Sequence, residues 1–192
     1  MWKTWIVYVA ILASIGWSAE IDRRELRRKT ISKGAVARAA GHGALGTALN
    51  SPHQWGRTPS GFAKRTGSSF GKNIIKQTVQ AGVAAVHHEN LHYQRSNLQG
   101  TLPRVKYAVK STFIVPKTNR PGKTVALGRV SGNMGAGLIS QAWMPAAGLG
   151  AGIASGGIGI GADVGVNVAR EFWPQKHPKA RKATHGWTPV KR

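Results

Sequence analysis

Apolar and small positions recur at helical spacing over much of this chain. From Pro59 to about His88, Ala63, Gly67, Gly71, Ile74, Thr78, Gly82 and Ala85 form one stripe, with Phe62, Phe70, Ile75, Val79 and Val86 beside it. That period predicts an amphipathic helix. Thr58-Pro59 supplies its start, a hydroxyl at the N-cap followed by proline at the first helical position. Glycine within the stripe costs roughly 1 kcal/mol per residue in helix propensity, so a second helix is expected to approach closely there. Upstream, Glu20 to Asn50 begins as a basic helical run and passes into the small residues AVARAAGHGALGTALN, before Ser51-Pro52 opens a linker. Downstream, Leu102 to Val115 reads as a short helix or strand. Lys117 to Lys123 reads as a turn from its Asn, Pro and Gly content. Thr124 to Gln141 resumes the pattern up to Trp143-Met144-Pro145.

After Pro145 the pattern changes to two glycine triplets at spacing four, Gly148, Gly152 and Gly156, then Gly157, Gly161 and Gly165. This resembles a glycine zipper, in which ridges without side chains let helices touch backbone to backbone. Ile158, Ile160, Ala162, Val164, Val166 and Val168 also alternate as in a membrane strand. A barrel needs at least about eight such strands, and only one is visible. Val164 to Phe172 carries a helical apolar face together with Arg170-Glu171, ahead of a stop at Trp173-Pro174, so helix is the reading adopted. The expected architecture is all-α, with glycine-rich, close-packed helices and a disordered basic C-terminal tail.

Charge sharpens this picture. The chain carries a formal +22, yet Ser131 to Ala162 runs 32 residues without a charge, ten of them glycine. A stretch so poor in charge is expected to lie against protein or lipid, while the rest seeks anionic partners. Residues 20–38 are Arg- and Lys-rich, and Gln175 to Arg192 holds six basic residues and no acid. The tail therefore reads as disordered and cationic. The partner expected is an anionic membrane surface or lipopolysaccharide, with nucleic acid less favoured because no groove-reading motif is present. A homo-oligomer through the glycine ridges is a further expectation. There are no cysteines, which excludes disulfide stapling and thiolate metal sites.

At the N-terminus, Met1-Trp2-Lys3-Thr4 precedes the eleven apolar-rich residues Trp5 to Ile15. Such a core matches a secretory signal of roughly 7–15 residues better than a span of about 20. Residues 1–19 are read as a signal peptide cleaved after Gly16 or Ala19, with an uncleaved anchor as the alternative. The remaining organisation is a basic then small-residue helical segment at 20–50, a helical domain at 51–174 and the tail at 175–192. The localisation expected is the periplasm or an envelope membrane.

One stretch could carry chemistry. His88-Glu89-Asn90-Leu91-His92 is a literal H-E-x-x-H. On a helix, His88 and His92 would grip zinc from one face while Glu89 polarised the attacking water. This defines the alternative reading, a zinc-dependent hydrolase. Against it, the stretch falls where the helix is expected to end, and Glu171, His177 and His185, the remaining possible ligands, lie far downstream. The reading preferred is a polar helix terminus with His87, His88 and His92 near the negative end of the helix dipole, with no cofactor, metal or catalytic residue assigned.

Several runs together resemble an uncharacterised family of small exported bacterial proteins: Gly61 to Gly71, His88-Glu89-x-x-x-Tyr93, Gly132-Asn133, Ser140 to Pro145, and Gly165 to Pro174 ending Glu171-Phe172-Trp173-Pro174. The resemblance covers about residues 55–174. It implies export and a helical fold without a known activity, and makes Tyr93, Trp143, Pro145 and the Glu171 to Pro174 ending packing landmarks. His92 stands where the family pattern carries a basic residue, which sets the resemblance against zinc. The expected function is an exported, envelope-associated, non-enzymatic protein that binds anionic surfaces through its basic segments.

Overall fold

The structure is a computed structural model that describes residues 23–145 and 148–174. The assigned signal at 1–19 and the basic tail at 175–192 lie outside the described residues. Within them the chain is mainly α-helical: α1 (Arg23–Ile31), α2 (Lys33–Ala48), α3 (Pro59–Val86), α4 (Thr101–Phe113), α5 (Leu127–Ile139) and α6 (Leu149–Phe172). One antiparallel hairpin, β1 (Ile114–Pro116) and β2 (Lys123–Val125), joins α4 to α5 with Val115 opposite Thr124. Leu102 to Val115 thus resolves into a helix that passes directly into a strand, with the Asn-Pro-Gly stretch as the turn.

Local sequence explains the helix starts. Ser32 interrupts α1 and restarts the chain as α2, its Oγ accepting from Ala35 N at 3.1 Å. Thr58 caps α3 by accepting from Gly61 N at 3.1 Å, with Pro59 at the first position, as the sequence predicts. The connection at 51–58 folds back onto α3, because the buried Arg65 guanidinium donates to the carbonyls of Ser51, Pro52 and Gly56 at 2.9, 2.7 and 2.6 Å. An arginine on the first turns of α3 therefore does the tying that an apolar staple does elsewhere.

Helix α3 is the hub, with α2 on one side and α5 on another; α6 covers α5, and α4 packs on α6. A Cβ on Gly132 of α5 would sit 2.7 Å from Lys76 O, and one on Gly128 2.8 Å from Gln80 O, so α5 runs antiparallel to α3 in backbone contact. The α5–α6 seam is as close. A Cβ on Gly137 would lie 2.6 Å from Gly156 N, one on Gly152 2.9 Å from Leu138 Cδ2, and one on Gly156 2.6 Å from Met134 Sδ. Gly148, Gly157, Gly161 and Gly165 meet nothing within 4 Å. Of the two triplets, two members approach a neighbour and the second triplet is open to the outside.

The stripe expected on α3 is out of phase with its buried side. Ala63, Gly67, Ile74 and Thr78 are exposed; of the stripe Gly82 is buried, while the other buried positions, Gly61, Arg65, Ser68, Gln80 and Ala84, lie off it. The reason is that α3 presents hydrogen-bonding side chains inward. Elsewhere too the fully buried apolar residues are small, mostly alanine, while Glu171, Thr112 and Ser140 are the largest side chains fully withdrawn from solvent. Large apolar residues such as Leu149, Ile153 and Ile158 lie outside.

Candidate functional site

The H-E-x-x-H stretch begins after α3 has ended. His88 has a φ of +53° and is exposed, Glu89 forms a β-bridge with Lys117, and the chain then continues in extended form past an exposed His92. Asn90 N donates to Pro116 O at 2.9 Å and Thr118 N to His88 O at 2.8 Å, so the stretch is fastened to the hairpin. The two histidines therefore lack the shared helix face that the zinc reading requires. No group of three or more His, Cys, Asp or Glu is placed to hold a metal among the described residues. Glu89 points inward instead, its Oε2 accepting from Gly128 N at 3.0 Å. Ala126, the N-cap of α5, has no side chain that can cap the helix. Glu89 supplies the missing acceptor, and its charge opposes the positive end of the α5 dipole.

The Tyr93 to Gly100 segment then runs along the C-terminal end of α6, where the most elaborate polar cluster lies. Glu171 is fully buried. Its Oε2 accepts from Tyr93 Oη at 2.5 Å, and its Oε1 accepts from Ser96 Oγ at 2.5 Å and from Arg104 Nε at 3.2 Å, with Ser96 N donating at 3.2–3.3 Å. Burial alone would raise this carboxyl's pKa, but the donors from Ser96, Tyr93 and Arg104 outweigh it and hold the group at about 2. Tyr93 moves the opposite way: burial and the bond to Glu171 push its phenol well above the ordinary tyrosine range. Arg104 also donates to the Glu171 carbonyl and lies 4.4 Å from the Phe172 ring centroid. Arg95 donates from Nε to Arg170 O at 2.6 Å and from Nη2 to the Trp173 carbonyl. Two arginines thus satisfy carbonyls that α6 leaves open at its end.

A second polar seam joins α3, α5 and α6. Lys76 pairs with Asp163 at 2.6 Å, and Asn133 Nδ2 donates to Asp163 Oδ2 at 2.8 Å. Lys72 donates to Ser155 Oγ at 3.2 Å, and burial lowers its pKa. Ser155 sits inside α6, where the neighbouring backbone N–H groups are engaged by the helix itself. Arg129 is buried with its Nη1 on Thr112 O at 2.7 Å and its Nη2 on Leu91 O at 3.3 Å. Burial lowers its pKa, against the opposing charges of Asp163 and Glu89.

Glu89, Asp163 and Glu171 are the acids of residues 26–174, and each is engaged inside the fold. The exterior of that region is consequently strongly cationic, with only Asp163 among these acids partly exposed and paired to Lys76. Comparison with protein-family models, with curated proteins and with solved structures returns no match for this chain.

The outward side of α6 completes the site. Every exposed residue from Leu149 to Ala169 is Gly, Ala, Ile, Leu or Val, whereas Ser155, Asp163 and Asn167 lie on the covered side. By length and composition the helix is long and apolar enough to cross a bilayer. Of the sequence landmarks, Tyr93 and Glu171 meet directly, and Trp143 Nε1 donates to Ser68 Oγ at 2.9 Å. Pro145 and Trp173 are exposed, Trp173 to 71%. Reading the sequence missed the partners of Glu171; the available signal was a lone carboxylate at the end of an apolar helix in a chain with six acids.

Proposed function

We propose that this is an exported, envelope-associated protein without a catalytic role, which seats the outward face of α6 in an anionic membrane surface. The observation that carries the reading is that face: about 30 Å of helix, at 1.5 Å per residue, whose exposed residues from Leu149 to Ala169 are all apolar or glycine. Spanning is disfavoured, because the covered side of the same helix carries Asp163 paired with Lys76 and packs on the 13-residue α5, which is too short to cross about 30 Å of hydrocarbon. Lying in the interface keeps the polar seam within protein and the apolar face in lipid. A cationic exterior favours anionic headgroups, each nearby Lys or Arg contributing about 1 kcal/mol. It also disfavours a second copy in water, since two chains of formal charge +22 repel. The resemblance carried by the sequence motifs supports export and a helical fold.

The test is co-flotation of the full chain with vesicles of phosphatidylglycerol or phosphatidylcholine across a salt series. Binding should be confined to the anionic vesicles and weaken with salt. Deleting Gln175 to Arg192 should reduce both affinity and salt sensitivity. Equal binding to neutral vesicles, or preferential transfer to nucleic acid in competition, would contradict the reading.

A further inference from the structure

At the edge of the apolar face, where α6 ends, Tyr93, Arg95, Arg170, Trp173 and Pro174 line an open cleft of about 520 Å³. Its charge is one-sided. Glu171, the nearest acid in sequence, is turned inward and its oxygens are occupied by Tyr93, Ser96 and Arg104. Arg95 is held in place through Nε and Nη2 on the Arg170 and Trp173 carbonyls, which leaves Nη1 without a protein partner among the described residues. Arg170 is exposed, and its side chain makes no hydrogen bond or ion pair among them. A guanidinium already oriented by backbone carbonyls loses little further freedom when it accepts a ligand. With Arg170 lining the same cleft as a second, unanchored guanidinium, the pair suits a tetrahedral oxyanion. The exposed Trp173 ring at the rim has the amphipathic character of residues enriched at headgroup depth. The α6 carbonyls, which would repel an anion, are neutralised by Arg95 and Arg104.

We infer that this cleft is a phosphate-ester site that seats one phospholipid headgroup, Arg95 and Arg170 holding the phosphate and Trp173 lying against the glycerol end. The inference rests on the membrane-surface reading for the source of the ligand. The arginine pair itself specifies only the phosphate.

The experiment is calorimetric titration of the full chain with dihexanoyl phosphatidic acid below its micelle concentration, and separately with inorganic phosphate. Saturable one-site binding of the lipid is expected. Arg170→Gln removes one charge at a side chain without a hydrogen bond or ion pair among the described residues and should weaken binding by about tenfold, the loss expected for a charge-assisted contact. Lys64→Gln removes the same charge from an exposed position on α3 and should leave affinity unchanged within about twofold. Equal losses in the two variants, or no saturable binding, would overturn the site. Inorganic phosphate binding as tightly as the lipid would overturn the headgroup as its source. Vesicle flotation of the same proteins separates the two readings. Wild-type flotation without saturable lipid binding overturns the cleft and leaves the surface reading standing. Phosphate binding that depends on Arg170, without flotation, does the reverse.

Discussion

Glu171 shows how a single carboxylate organises the end of the long helix. It is fully withdrawn from water, yet four donors from the 93–104 segment hold it ionised. With the folded pKa near 2 and the ordinary value near 4.5, its contribution is complete above about pH 4.5 and is lost as pH falls toward 2. That contribution is about 3 kcal/mol. The urea midpoint should therefore drop between pH 5 and 3 in the wild type, and Glu171→Gln should flatten that dependence while losing roughly 3 kcal/mol at neutral pH. An unchanged acid slope in Glu171→Gln would remove the residue from this role. None of this cluster was legible locally, because Tyr93 lies 78 positions from Glu171 and Ser96 lies 75. The H-E-x-x-H stretch was legible as a polar end to α3. What Glu89 does there depends on α5, which begins 38 residues later in the chain.

At the scale of elements, the helix starts and breaks were readable and the buried faces were less so. Thr58-Pro59 fixed the start of α3, and Asn, Pro and Gly fixed the turn between β1 and β2, since each acts through its own backbone. The burial phase of α3 was misread because Arg65, Ser68 and Gln80 are the residues turned inward, stabilised by carbonyls and hydroxyls supplied from other elements. The glycines divide in the same way. Spacing announces close approach but not which glycines make it, and the backbone of α5 decides. Gly137→Leu should force α5 from α6 and destabilise by roughly 1–3 kcal/mol or more. Gly161→Leu adds a side chain to open space and should leave the chemical denaturation midpoint within about 0.5 kcal/mol of wild type. Equal costs for the two substitutions would mean that the open face is covered in solution.

For the whole molecule, polar groups are gathered inside and large apolar side chains remain outside, above all on α6. The acids of residues 26–174 are used internally, so the basic excess visible in the composition becomes a property of the exterior. Sequence alone gave the excess charge and the uncharged stretch; only folding places Asp163 inward, so that one side of α6 carries no charge. The absence of cysteine permits the most direct test of that face, a single cysteine introduced as Ile158→Cys, carrying an environment-sensitive fluorophore. Position 158 is 74% exposed, so labelling should leave the fold intact. On phosphatidylglycerol vesicles its emission should shift to the blue and become shielded from an aqueous quencher, while the same label at Asn119 on the exposed hairpin turn stays water-like. A label at 158 that remains water-like and quenchable on vesicle-bound protein would contradict the account.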